Sequence, residues 1–212
     1  MGVLCLSIFY NMHLTKNKLM KKIIFFFLIV FSNSIFGQTT RRIVRDFDGD
    51  FKNDTVRIDS DKRIIVCLLS THKYKKIQSG KIRKLNFGNT LVPIKKGFEF
   101  WNDFDRSGFR CVFEYNQKLQ KFRLIQMRRI DDILSFDYGD KAKGRSNINL
   151  LTNEYRGNFY EVYHKKLQKI PTIKAKISFP EIYLETFNDN WCLDYETKCL
   201  ALYEKNQTKI NE

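Results

Sequence analysis

Short apolar stretches, separated by turn residues at spacings of roughly ten, run through most of the chain. Val56 and Ile58 alternate with polar residues, whereas residues 63–69 are a continuous β-branched run, as expected for a strand covered on both faces. Further strands are predicted at 109–115, 122–127, 159–163 and 173–177. Within residues 122–127 the apolar positions change parity. The pattern predicts a mostly β fold, a single antiparallel sandwich or barrel-like domain with few short helices.

Helical periodicity is weak by comparison. No amphipathic helix of convincing length is predicted, and a short helix near residues 86–92 or at the C-terminus is left open. Hydrophobic residues make up 43% and aromatic residues 15% of the 212-residue chain, which excludes a disordered or low-complexity protein. No internal repeat or Ser/Pro-rich linker divides the sequence. One domain spanning residues 38–212 is therefore expected.

The N-terminal segment has the pattern of an export signal. Lys21 and Lys22 precede an apolar run at residues 23–31, and the small residue Gly37 stands at the expected cleavage site. The run is much shorter than the ~20 residues that span a bilayer as a helix. We expect residues 1–37 to be an upstream leader plus signal peptide, leaving no transmembrane span in a periplasmic or secreted protein. A retained amphipathic anchor is the alternative, and Met20 leaves open whether residues 1–19 are translated.

Four cysteines follow the predicted signal, an even number compatible with disulfides in an oxidising compartment. They allow three pairings. Six residues separate Cys192 from Cys199, a length that a hairpin or short loop can close, so a Cys192–Cys199 disulfide is expected. For Cys67 and Cys111, which lie among apolar strand residues, a bond and two buried thiols both remain open.

An acidic segment directly precedes the strand around Val56. Carboxylates occupy positions 1, 3, 5 and 9 of this segment, and a backbone carbonyl is available at position 7. Ca²⁺ prefers about six to eight oxygen ligands, and it would relieve the repulsion among these acids. The alternative is a solvated turn whose Asp side chains cap backbone amides. The expected ligands of a structural Ca²⁺ are Asp46, Asp48, Asp50, Lys52 through its carbonyl, and Asp54.

This loop resembles the calcium loops of FG-GAP and VCBS-type repeats and, more distantly, those of dockerins and EF-hands. Two positions depart from the pattern. Phe51 replaces the usual glycine at position 6, and Arg57 replaces the bidentate glutamate of an EF-hand, which excludes that form of the site. The resemblance implies a structural ion that ties the start of the mature chain to its first strand.

A broader resemblance is to exported proteins of Bacteroidota-type bacteria. These have a D-x-D-G-D loop near the mature N-terminus, a strand-rich region with an aromatic-basic stretch such as residues 121–125, and an Asn-Leu-Leu-Thr segment, here residues 149–152. By analogy of architecture, some proteins of this kind look like periplasmic lysozyme inhibitors or immunity proteins. The resemblance implies a protein that binds or inhibits another protein.

Basic residues outnumber acidic ones, and the formal net charge is +15. Such a charge attracts acidic partners, and export favours an unknown protein or an anionic envelope polymer over nucleic acid. The alternative is a general lysine bias of the composition. The cations form three clusters: Lys73, Lys75, Lys76, Lys81, Arg83 and Lys84; Lys165, Lys166, Lys169, Lys174 and Lys176; and Arg128 with Arg129.

No catalytic residue is assigned. The sequence therefore favours an exported, non-enzymatic envelope binding module with a structural calcium loop, which binds or inhibits another protein. The alternative is a cell-wall or glycan hydrolase with a carboxylate pair. Phe100, Trp101 and Phe104 could form an aromatic ligand platform, although the favoured interpretation is that they are core aromatics flanking a loop. The available acids are Glu99, Asp103, Asp105 and Glu114.

Overall fold

The alternating stretches form antiparallel sheets in the computed structural model, which describes residues 41–132 and 134–207. The first sheet has four strands in sequence order, so each strand pairs with the next along the chain. Its strands are β1 (Arg42–Arg45), β2 (Asp54–Asp59), β3 (Ile64–Leu68) and β4 (Lys76–Gln78).

The second sheet has seven strands in the order β13-β10-β9-β8-β7-β6-β5. Its strands are β5 (Thr90–Ile94), β6 (Gly97–Asp103), β7 (Gly108–Asn116), β8 (Lys121–Asp131), β9 (Gly144–Asn149), β10 (Glu154–Asn158) and β13 (Ile173–Lys176). A separate hairpin, inserted in the chain between β10 and β13, consists of β11 (Tyr160–Tyr163) and β12 (Lys166–Lys169).

Helical structure is confined to two places in the described chain. A short helix α1 (Ser135–Tyr138) is followed by a 3-10 turn (Gly139–Ala142) between β8 and β9. After β13, a 3-10 turn (Leu184–Thr186) precedes the long helix α2 (Asp189–Gln207). No helix within residues 41–132 and 134–207 has the length and apolarity needed to cross a bilayer.

Both larger sheets and α2 contribute to one hydrophobic core. At its centre the Phe98 and Phe113 rings are stacked at 5.1 Å, and Phe122 meets Phe98 edge-on at 5.1 Å. Phe47, from the acidic loop, packs edge-on against Phe122 at 5.4 Å. The loop is therefore anchored by an aromatic side chain in the same core as the seven-stranded sheet.

The mostly β prediction is confirmed, and the local strand patterns explain it. Strand β3 has both faces buried from Ile64 to Cys67, as predicted for a continuous apolar run. The parity change in residues 122–127 is a β-bulge: Leu124 pairs with Phe113 and Gln126 pairs with Val112, so Ile125 is the extra residue. The bulge returns the apolar side chains to the core face.

Helix α2 is the main element that the sequence did not predict. Its buried face carries cysteine and tyrosine in place of the usual aliphatic residues, at spacings of three, four and four: Cys192, Tyr195, Cys199 and Tyr203. These are helical spacings, and they are the signal that could have revealed the element. The segment at residues 86–92 is a turn that leads into strand β5.

The predicted disulfide between Cys192 and Cys199 does not fit this helix. Seven residues along an α-helix advance about 10.5 Å, whereas a disulfide needs Cα atoms within about 7 Å. Both cysteines are buried and free, as are Cys67 and Cys111. The hairpin that would have closed the bond is absent from the described residues because the segment is helical.

The predicted leader and signal peptide at residues 1–37 lie outside the described residues. The described residues all belong to one compact unit, which starts at Thr39. The domain spanning residues 38–212 stays a prediction.

Candidate functional site

The acidic loop connects β1 to β2 and is closed by the pair Arg45–Asp54. The carboxylates of Asp46, Asp48 and Asp50 each place an oxygen within 4.8 Å of the others. Oxygens that share one Ca²⁺ at about 2.3–2.6 Å lie at most about 5 Å apart. Three of the predicted ligands are therefore close enough to bind a single ion, with an all-oxygen donor set that suits Ca²⁺.

Two residues with positive φ give the loop its curvature. Gly49 has a φ of 85° and Phe51 a φ of 64°. The Asp46 carboxylate accepts the N–H groups of both, at 2.7 Å from Gly49 and 2.9 Å from Phe51. Phe51 occupies position 6, where calcium loops usually have glycine, and it adopts the left-handed conformation that glycine would. The residue type departs from the motif at this position, but the positive φ is the one that a glycine there would adopt.

Asp54 and Lys52 lie outside the carboxylate cluster. Asp54 is fully buried, and its two oxygens accept the N–H groups of Phe47 at 2.8 Å and Ser70 at 2.7 Å. It therefore holds the loop against the turn that follows β3. The Lys52 ammonium lies 3.6 Å from Asp50, and the Lys52 N–H donates to the same carboxylate at 2.9 Å. Coordination through the Lys52 carbonyl remains a prediction.

Asp48 is the buried member of the cluster, and one of its oxygens already has a neutral partner. The Thr71 hydroxyl donates to Asp48 Oδ2 at 2.6 Å, and the Asp50 N–H lies 3.3 Å from Oδ1. None of these donors is a cation, so the Asp48 charge is not neutralised by them. A divalent ion would neutralise it and the two neighbouring carboxylates together.

A second feature is the outer face of the seven-stranded sheet. Because side chains alternate along a strand, one face carries core residues such as Phe100 and Cys111, and the other carries Trp101 and Arg110. From β6 to β13, the residues that pair with Trp101 and Arg110 across successive strands form one continuous row on this outer face. The row, here called the basic row, is Trp101, Arg110, Arg128, Asn147, Arg156 and Lys174.

At the β6–β8 end of the basic row the charges are paired. Arg110 makes a 2.7 Å ion pair with Asp103, and its guanidinium lies 3.8 Å from the centre of the Trp101 ring. Arg128 contacts Glu99 at 2.5 Å, and the Trp101 indole N–H donates to the same carboxylate at 2.7 Å. Glu99 and Asp103 are thus both held in ion pairs with arginines. Arg110 covers one face of the Trp101 ring.

At the β9–β13 end the cations are in excess. Arg156 and Lys174 are exposed and directly opposite each other, and Arg145 lies on the same face of β9. None of these three has an ion-pair partner within residues 41–132 and 134–207. Lys176 alone is balanced in this region, by Glu154 at 3.7 Å. The sheet therefore presents three unpaired cations side by side to solvent.

A cavity of about 260 Å³ separates strands β6–β8 from the start of α2. Phe100 and Phe109 line its apolar side, and Arg129 lines its polar side. Arg129 is buried and forms ion pairs with Asp131 and with Glu196 at 2.9 Å. Burial would lower the pKa of Arg129, but these two carboxylates outweigh it and raise the pKa. The network connects β8 to α2 through one guanidinium shared by two carboxylates.

The sequence did not predict the basic row, because its members come from six strands and are far apart in the chain. In the sequence, Arg128 and Arg129 form one of the three basic clusters. In the structure, their side chains point to opposite faces of β8. Only the strand order brings Arg128, Arg156 and Lys174 into one row. Comparison of the chain with protein-family models, curated proteins and solved structures finds no match.

Proposed function

We propose that the chain is an exported envelope binding module that carries a structural Ca²⁺ and binds an anionic polymer on the outer face of its large sheet. The observation that carries this proposal is a group of three cations without an ion-pair partner among the described residues: Arg156 and Lys174 at one end of the basic row, and Arg145 on the same face of β9. Export is supported by the charged and apolar pattern of residues 21–37.

The spacing of the cations supports a polymer over a small anion. Neighbouring strands lie about 4.8 Å apart, so the unpaired cations, from Arg145 on β9 to Lys174 on β13, span roughly 10 Å. A linear polyanion can contact several of these side chains at once, whereas a single phosphate reaches one or two. Guanidinium groups also bind phosphate oxygens in a bidentate manner, and two of the unpaired cations are arginines.

The calcium ion has a structural role in this proposal. The loop joins the first sheet to the common core through Phe47, and Asp54 fixes it to the turn after β3. An ion bound by Asp46, Asp48 and Asp50 would stabilise this junction without taking part in polymer binding. The loop and the unpaired cations are formed by different strands, so each can be removed by substitution independently.

The direct test is binding of fluorescently labelled polyphosphate, followed by anisotropy, to the protein and to an Arg156→Glu/Lys174→Glu variant. A Lys75→Glu/Lys118→Glu variant changes the net charge equally at exposed lysines that do not belong to any strand of the basic row. We expect the first pair to weaken binding at least tenfold and the control pair to have a much smaller effect. Equal losses in both variants would contradict a specific surface.

A further inference from the structure

Two cysteines from different elements meet beside the cavity. Cys111 lies on β7 in the inner cross-strand row, between Phe100 on β6 and Met127 on β8. Cys192 lies in the first turn of α2 and lines the cavity. Their sulfur atoms are 3.7 Å apart, and both residues are buried. A disulfide needs a sulfur–sulfur distance of about 2.05 Å, so the two atoms have to approach by less than 2 Å.

The other two cysteines are placed differently. Cys199 is two turns further along α2, and its sulfur lies 3.4 Å from the Ser146 hydroxyl oxygen. Cys67 lies on β3 of the first sheet. Burial raises the pKa of the Cys67 thiol, as expected for an inert core cysteine. Among the three pairings that four cysteines allow, the structure favours only the one that includes Cys111 with Cys192.

We propose that Cys111 and Cys192 form a disulfide that links strand β7 to helix α2 when the chain meets a disulfide oxidant. The Cys192 thiolate attacks an oxidant R–S–S–R and releases one thiol, which leaves a mixed disulfide on Cys192. The Cys111 thiolate then attacks the Cys192 sulfur and releases the second thiol. Two protein thiols become one disulfide, and the two electrons and two protons end on two R–SH molecules.

The timing of this reaction follows from burial. The adjacent Cys192 thiol and burial raise the pKa of Cys111 well above its ordinary value, so thiolate is scarce once the helix is packed. The bond is therefore expected to form during folding, while α2 docks on the sheet and brings the two sulfur atoms together but solvent still reaches them. Once formed, it closes a chain segment between positions 81 residues apart, which restricts the unfolded chain strongly.

The test maps the bond in the wild-type chain. The protein is refolded from denaturant in oxidised and reduced glutathione, its free thiols are blocked with N-ethylmaleimide, and tryptic peptides are identified by mass spectrometry. Trypsin cleaves after Arg110 and after Lys198, so Cys111, Cys192 and Cys199 are on three different peptides. We expect peptide 111–118 to be linked to peptide 177–198, with Cys67 and Cys199 labelled.

Label on both Cys111 and Cys192 in the refolded protein, or a link from Cys192 to Cys199, would overturn the proposal. As a second readout, reductant should lower the melting temperature of the wild type by roughly 5–15 °C. Cys111→Ser and Cys192→Ser should abolish this response, and the matched buried controls Cys67→Ser and Cys199→Ser should keep it. A response that persists without Cys192 would also overturn the proposal.

Discussion

Phe51 makes the calcium-loop motif difficult to identify from the sequence, because it stands where glycine is usual. Its side chain is 97% exposed, so its ring contributes little packing, yet its backbone has the positive φ of a loop glycine. From the sequence, the missing glycine at position 6 argues against a calcium loop. The structure shows that the backbone can adopt the same turn with phenylalanine, at a cost of about 1–2 kcal/mol.

The two positive-φ positions therefore respond to substitution in opposite ways. Gly49→Ala should lower the free energy of unfolding by about 1 kcal/mol, because a Cβ there is strained and lies 3.3 Å from the Gln117 amide. Phe51→Gly should leave the free energy unchanged or raise it by up to about 1 kcal/mol. Urea denaturation in EGTA measures both, and a stabilising Gly49→Ala would contradict the loop geometry.

Asp48 and Asp54 are both buried acids of the loop, but only Asp48 belongs to the cluster. Asp54→Ala should lower the free energy of unfolding by about 2–4 kcal/mol with or without calcium, since two backbone N–H groups lose their acceptor. Asp48→Ala should chiefly abolish the stabilisation by Ca²⁺. Calorimetry in Ca²⁺ and in EGTA separates these effects, and a calcium response retained by Asp48→Ala would refute the assignment.

At the scale of elements, strands such as β7 and β8 were predictable because their apolar residues alternate. The bulge in β8 is visible in the sequence as the change of parity in residues 122–127. At the C-terminus only a short helix was left open, because the buried face of the 19-residue helix α2 is built from tyrosine and cysteine. Because the segment around Cys192 and Cys199 was taken as a hairpin or short loop, the disulfide predicted between them is wrong. A hairpin can bring their Cα atoms within bonding distance, whereas a helix keeps them about 10.5 Å apart. Strand order, and with it the pairing of Arg156 and Lys174, is not encoded in local periodicity.

The contact between β8 and α2 depends on a buried charge network. Arg129→Met should lower the free energy of unfolding by about 3–5 kcal/mol, because Asp131 is left as a buried carboxylate without this partner. Glu196→Gln should cost about 1 kcal/mol or less, since Glu196 is a third exposed. Urea denaturation of both variants is the measurement, and equal losses would show that Asp131 does not depend on Arg129.

At the scale of the whole molecule, the proposed polymer surface makes a prediction about salt. Exposed charges are screened over about 10 Å at 0.1 M ionic strength, so polyphosphate affinity should fall steeply as NaCl is raised. The Arg156→Glu/Lys174→Glu variant should show a shallower dependence because fewer cations take part. Binding by anisotropy at several salt concentrations measures both slopes, and parallel slopes would place the contact elsewhere.

We propose that Ca²⁺ binds to the acidic loop and thereby stabilises the whole fold. A ligand at a hundredfold excess over its Kd stabilises the native state by about 2.7 kcal/mol, which for a domain of this size corresponds to roughly 5–10 °C. Scanning calorimetry of the protein in excess CaCl₂ and in excess EGTA tests this directly. We predict a higher melting temperature in calcium; superimposable melting curves would contradict the claim.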